Sequence, residues 1–123
     1  MKIDWNTINS FESLSEALDK SYLQNIIIFK HSTTCSISHM AKMRLESDWN
    51  LDEIPTYYLD IKQFRKLSDS ISETLEIHHE SPQILLIRNG QCTYDASHFD
   101  ISVEEINETI VWHKTQKFAS DMQ

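Results

Sequence analysis

The sequence predicts an α/β domain in which a mixed four-stranded sheet carries helices on both faces. Three observations predict it. Stretches with apolar residues at helical spacing alternate with short apolar, β-branched runs. Strands separated by helices pair in parallel, because the crossover needs a helix. The last two strand-like runs are joined instead by Asn89-Gly90, the strongest short hairpin signal in the chain, so they pair antiparallel.

In order, Phe11, Leu14, Ala17, Leu18 and Tyr22 mark one face of a first helix, with Asn9 or Ser10 as its cap. Residues 25–30 are apolar and β-branched and read as a buried strand. A second helix over 36–49 would place Ile37, Met40, Ala41, Leu45 and Trp49 on one face. Pro55 precedes TYYLDI, the second strand, and Phe64, Leu67, Ile71 and Leu75 form a third helical stripe. The segment HESPQILLIRNGQCTYDAS then supplies a strand, a turn and a strand. Gly90, the one glycine of the chain, falls where the turn needs positive φ. Ser102 and Glu105 form a capping-box pattern ahead of Val103, Ile106 and Ile110. The polar tail beyond Lys114 is expected to fray. The order is helix-strand-helix-strand-helix-strand-strand-helix, without repeats, linkers or low-complexity runs, and residues 1–123 are expected to be one domain.

A length of 123 residues suffices for one hydrophobic core. Nineteen acidic residues against 11 Lys and Arg give a net charge of −8, with the basic residues scattered. That excludes the basic surface of a nucleic-acid binder, and the acidity serves solubility. The start, MKIDWNTINS, lacks the apolar core of a signal peptide, and no apolar run approaches the roughly 20 residues of a membrane helix. Two distant cysteines, Cys35 and Cys92, make neither a disulfide framework nor a zinc pattern. A reduced, cytoplasmic location is the expectation.

The chemistry centres on HSTTCSIS, residues 31–38. Cys35 falls between a strand end and the first turn of a helix. Unpaired N–H groups and the positive end of the dipole meet there, and both favour thiolate over thiol. Thiolate is the nucleophile of thiol–disulfide exchange. Ser38 lies one helical turn on, within reach of the sulfur, where a CxxC motif carries its resolving thiol. An oxygen there forbids a CxxC disulfide, so exchange would stop at a mixed disulfide until an external thiol arrives. Pro82 starts the third strand after Ser81, where a trans proline would spoil pairing, so a cis Ser81–Pro82 bond is expected. It would expose the backbone of Ser81 toward the crevice of Cys35.

Blander readings stand beside these. A lone cysteine is more often a small buried hydrophobe than a nucleophile. Cys92 reads as a packed or half-exposed thiol, able to resolve Cys35 only within about 7 Å, Cα to Cα, which the course of the hairpin argues against. His31 and His98 either flank the crevice or are structural, one of His78 and His79 caps or lines it, and the three tryptophans pack in the core or at its edge.

The combination of KHSTTCSIS, TYYLDI, HHESPQILLIRNG and ASH resembles the monothiol bacilliredoxin family over about residues 5–112. The resemblance implies a thioredoxin-like fold and removal of bacillithiol from protein mixed disulfides. Bacillithiol would be the thiol co-substrate, with no bound cofactor or metal, and the partners would be bacillithiolated client proteins, not nucleic acid or membrane. It implies Cys35 as nucleophile, Ser38 as the motif serine, and Pro82 as the cis-proline with Ser81 offering backbone contacts. Thr34, Ser36 and His31 would line the bound substrate. The family's usual TCPIS is broken by Ser36, which replaces a proline suited to the first helical position and adds an N–H donor. The buried acid that thioredoxins carry six residues before the nucleophile falls here on Phe29, so that proton relay is not expected. Competing readings are exchange with glutathione or coenzyme A, an iron–sulfur carrier (whose usual glycine-phenylalanine pair is missing after Cys35), and a redox-inert adaptor that keeps only the fold.

Overall fold

The computed structural model describes residues 3–114 and 118. Its organising element is a strand buried on both faces, β2 (Ile26–His31), all six residues of which are shielded from solvent. Such a strand belongs at the centre of a sheet covered on both sides. It pairs in parallel with β3 (Thr56–Asp60) and antiparallel with β4 (Gln83–Arg88). β4 continues through the hairpin into β5 (Gln91–Ser97).

The sheet has five strands, one more than the sequence predicts. The addition is β1 (Trp5–Thr7), paired in parallel with β3 at the edge, in the order β1-β3-β2-β4-β5. Three residues, Trp-Asn-Thr, are too few for an alternating pattern, and only the Trp5 ring reaches the core, stacking on Phe29 at 5.7 Å.

Strand alternation divides the core. Ile27 and Phe29 face α2 (Ser36–Asp48) and α4 (Val103–Trp112), packing with Ala41, Leu45 and Ile106. Ile26 and Ile28 face α1 (Phe11–Lys20) and α3 (Arg65–Leu75), packing with Leu14, Ala17, Leu67 and Ile71. Ser10 caps α1 in a reciprocal arrangement with Ser13, and Ser102 caps α4 through the Glu105 N–H. The Glu105 carboxylate accepts from the Tyr94 hydroxyl at 2.7 Å, tying α4 to β5.

The apolar face expected for α2 is shifted. Ala41, Leu45 and Trp49 are buried, but Ile37 and Met40 point outward and Ser38 occupies the inner position of the first turn. Phe11 and Tyr22 of the α1 stripe are likewise exposed, because Phe11 opens the helix and Tyr22 lies beyond its end.

The hairpin turn has positive φ at both central residues, Asn89 (53°) and Gly90 (73°), the two-residue geometry that matches strand twist. The Asn89 and Gly90 N–H groups donate to the carbonyl and hydroxyl of buried Ser21 at 2.8 and 3.0 Å, docking the turn on the end of α1. A Cβ at Gly90 would also collide with the Tyr22 phenol. Gly90→Ala is therefore expected to cost about 1–2 kcal/mol, read from the urea midpoint.

Candidate active site

Parallel strands β2 and β3 end at one edge of the sheet, and antiparallel β4 starts there, with Gln83 paired to Lys30. That edge brings the two sequence motifs together. Cys35 is the N-cap residue of α2, with extended backbone (φ −107°, ψ 121°), no side-chain cap and a half-buried thiol. Its N–H donates to the Ser32 carbonyl at 3.2 Å and its own carbonyl accepts from His39 N–H at 3.1 Å, so the turn is tight and already joined to the helix. Thr34 and Ser36 flank it and are exposed.

Ser38 does something other than what its place in the motif suggests. Its hydroxyl is fully buried, accepts from the Ser32 N–H at 3.0 Å and lies 2.6 Å from Nδ1 of His31. These two hydrogen bonds tie Ser38 to the turn beneath Cys35. A small residue with an oxygen fits there because the first turn of α2 packs directly on the strand end.

His31 lies beneath this turn. It is buried, stacked on Phe29 at 5.7 Å and near Tyr58 at 5.5 Å. Burial, with the nearby His39 and Lys42 adding to it, lowers its pKa to about 4, so it is a neutral hydrogen-bonding group at pH 7. His39, not foreseen from the sequence, completes the scaffold. Its ring meets His31 edge-on at 4.8 Å, and its Nε2 donates to the Thr33 carbonyl at 2.8 Å. The available signal was its position four residues after Cys35, one turn up the same helix.

The second motif arrives as expected, with a cis Ser81–Pro82 peptide. Pro82 is buried, and its carbonyl accepts from the His98 N–H at 3.0 Å. His98 starts a short 3-10 turn (His98–Asp100) and has φ of 55°. Gln83, almost fully buried, folds back over its own loop: Nε2 donates to the His78 carbonyl at 2.9 Å and Oε1 accepts from Glu80 N–H at 3.4 Å. Glu80 lies between the His78 and His98 rings at 3.3 and 3.6 Å. The Ser81 hydroxyl oxygen is buried and finds no partner among the described residues.

Cys92 is elsewhere. It sits opposite Ile87, which pairs with Ile26 at the far end of β2, four positions from the Lys30–Gln83 pair. At about 3.3 Å per residue, that is well over 10 Å from the edge that carries Cys35. Burial pushes its thiol up to about 11, with Asp95 adding to the effect. No group of three or more metal-ligating side chains occurs among the described residues. Cavities of 390–490 Å³ occur elsewhere, none of them lined by Cys35, Ser81 or Pro82.

The family model described as monothiol bacilliredoxin BrxC matches residues 6–106. The chain belongs to the monothiol bacilliredoxin family. Among solved structures, one whose description names a thioredoxin fold is similar, with 28% identity over 85% of this chain and 92% of that one, at a TM-score of 0.75. Thioredoxin NaTrxh from Nicotiana alata (12% identity, 92% of this chain and 95% of that one, TM-score 0.71) and a thioredoxin from Malassezia sympodialis (15%, 94% of each, 0.68) share the fold. For a bacilliredoxin the geometry gives the word monothiol a physical content: the fourth motif position is a committed structural serine, and the other cysteine is at the opposite end of the sheet.

Two outcomes follow. At pH 8, a Cys92 thiol with a pKa of about 11 is only about one part in a thousand thiolate. Iodoacetamide should therefore label Cys35 and leave Cys92 unmodified in the folded protein, with peptide mapping as the readout. His31 has a folded pKa below its ordinary 6.5, so the unfolded chain binds the extra proton between the two values. Its contribution to stability is full above pH 6.5 and is lost as pH falls toward 4. The denaturant midpoint should drop between pH 7.5 and 5, and less steeply in His31→Asn.

Proposed function

We propose that this bacilliredoxin is a monothiol thiol–disulfide oxidoreductase that removes bacillithiol from protein mixed disulfides. One observation carries the reading: a half-exposed cysteine stands at the N-terminus of α2 beside the cis Ser81–Pro82 edge, with no second thiol able to reach it.

The reaction has two balanced exchanges. The Cys35 thiolate attacks the bacillithiol sulfur of a client mixed disulfide; a Cys35–bacillithiol S–S bond forms, the client S–S bond breaks, and the client cysteine leaves as thiolate. A second bacillithiol thiolate then attacks the bacillithiol sulfur held on Cys35. Bacillithiol disulfide forms and the Cys35 thiolate is restored, so the protein undergoes no net oxidation. Negative charge on Sγ sits at the N-terminal end of a 13-residue helix, where the dipole favours it. The Ser38–Ser32–His31–His39 scaffold keeps the turn rigid while the sulfur changes partners. Ser81 offers its backbone to the bound disulfide, Thr34 and Ser36 border it, and His31 acts from beneath. Cytoplasmic clients, whose thiols are kept reduced, are the natural substrates.

The test is release of bacillithiol from a defined bacillithiolated client, followed by intact mass with bacillithiol supplied. Wild type and Cys92→Ala should turn over alike, and Cys35→Ala should show no turnover. The wild type should also accumulate bacillithiol on Cys35 when free thiol is withheld. Unchanged release by Cys35→Ala, or equal use of glutathionylated and coenzyme-A-modified clients, would count against the reading. An inert wild type would point to an adaptor. Ser38→Ala should leave Cys35 chemically present yet cost about 2 kcal/mol of stability, because the Ser32 N–H and His31 Nδ1 lose their shared buried partner.

A further inference from the structure

We propose that Lys30 is a positioning residue that acts through His79 to hold the Ser81–Pro82 segment in the conformation a disulfide substrate needs. The inference rests on the reading above, in which that segment presents its backbone to the substrate.

Lys30 is the next-to-last residue of β2 and is fully buried. Alternation along the strand sends its side chain to the α1/α3 face, away from α2 and Cys35. There Nζ meets three acceptors: the Ser68 carbonyl at 3.2 Å, the Ser72 hydroxyl at 2.9 Å and Nδ1 of His79 at 3.4 Å. The Ser72 hydroxyl spends its own proton on the Ser68 carbonyl at 3.3 Å, so toward Lys30 it accepts. Nδ1 of His79 also has the Ser68 hydroxyl at 3.2 Å. With an ammonium and a hydroxyl as its two neighbours, Nδ1 is the acceptor and the ring proton sits on Nε2. Three acceptors match the three N–H bonds of an ammonium.

An ammonium buried without a carboxylate contact is costly, and a side chain of that kind is a marker of function. Asp69, the acid of α3 whose charge acts on Lys30, is exposed and paired with Arg65 at 3.1 Å. From α3, Asp69 attracts Lys30 and Arg65 repels it; from β5, Cys92 faces it as a protonated, uncharged thiol; from the loop before β4, His79 touches it and Glu80 acts on His79 in turn. Burial outweighs them all and brings Lys30 down to about 8. His79 is lowered too, by burial first and then by Lys30 and Arg65.

The consequence is a tie with two ends. Above pH 8 a neutral amine has two N–H bonds for three acceptors, and the longest contact, to His79, is the one released. At acid pH His79 takes a proton on Nδ1 and faces the ammonium donor to donor. Between these limits the tie holds. His79 stands two residues before Ser81, and Gln83, the cross-strand partner of Lys30, clamps the same loop from its other end.

The experiment measures two rates for Cys35 at each pH: exchange with a disulfide, and alkylation by iodoacetamide. Both need the thiolate, so their ratio removes its titration and reports the segment. The disulfides are a bacillithiolated client and 2-hydroxyethyl disulfide. In wild type the ratio should fall about five-fold as pH rises through 8, the loss of one hydrogen-bonded tie. In Lys30→Met it should be low and flat, with alkylation unchanged and thermal stability equal or higher, since a buried charge has been replaced by an apolar chain. His79→Leu, which keeps the lysine and removes its acceptor, should give the same flat, low ratio. Ratios identical in wild type and both variants would overturn the proposal, as would a Lys30→Met protein that loses stability and keeps the wild-type pH profile. Wild-type exchange with 2-hydroxyethyl disulfide but not with the bacillithiolated client would overturn the bacillithiol reading, while the pH profile still decides the role of Lys30.

Discussion

Everything at the candidate site depends on the burial of β2. Its residues Ile26, Ile27, Ile28 and Phe29 fill both layers of the core, and the strand therefore cannot slip or twist out of register without exposing one layer. The last two residues, Lys30 and His31, inherit that fixed geometry although they are polar. Alternation sends them to opposite faces. His31 supports the turn that carries Cys35 on the α2 side, and Lys30 reaches the loop that carries Pro82 on the α3 side. One rigid strand end thus sets both walls of the edge at which Cys35 stands.

The two polar residues have different energetic characters. His31 is accommodated by staying neutral, with Ser38 and flanking aromatic rings as its surroundings. Lys30 keeps a proton at neutral pH in a buried place, at a cost to stability that three hydrogen bonds only partly offset. The first arrangement builds a scaffold. The second leaves a group poised to change its hydrogen bonding within a modest range of pH, next to the loop that precedes β4.

Much of the fold was legible because its signals were local and redundant. The four longer strands, the Asn89-Gly90 turn, the caps at Ser10 and Ser102 and the cis bond at Pro82 each follow from residue types at short spacing. β1 was not legible, since a three-residue edge strand is defined by its partner β3 and not by its own pattern. The outward turn of Ile37 and Met40 was hidden for a related reason. Periodicity says that a stripe exists, but the demand of His31 and Ser32 for a buried oxygen rotates the first turn of α2 so that Ser38 faces inward.

The site shows the same division. Cys35 was legible from its place between a strand and a helix, and Ser38 from the motif, but the role of Ser38 was not. A serine one turn after a cysteine suggests an oxygen aimed at the sulfur. The contacts show an oxygen aimed at the chain that supports the sulfur. This changes what monothiol means physically. Replacing the second thiol by serine does more than delete a resolving group: it exchanges a reactive side chain for a buried structural bond that an apolar residue could not make. The turn beneath Cys35 is then held by Ser38 and His39 from the helix and by His31 from the strand. A mixed disulfide formed on such a turn has no internal thiol to collapse it, and its lifetime is set by the thiol that arrives from solution.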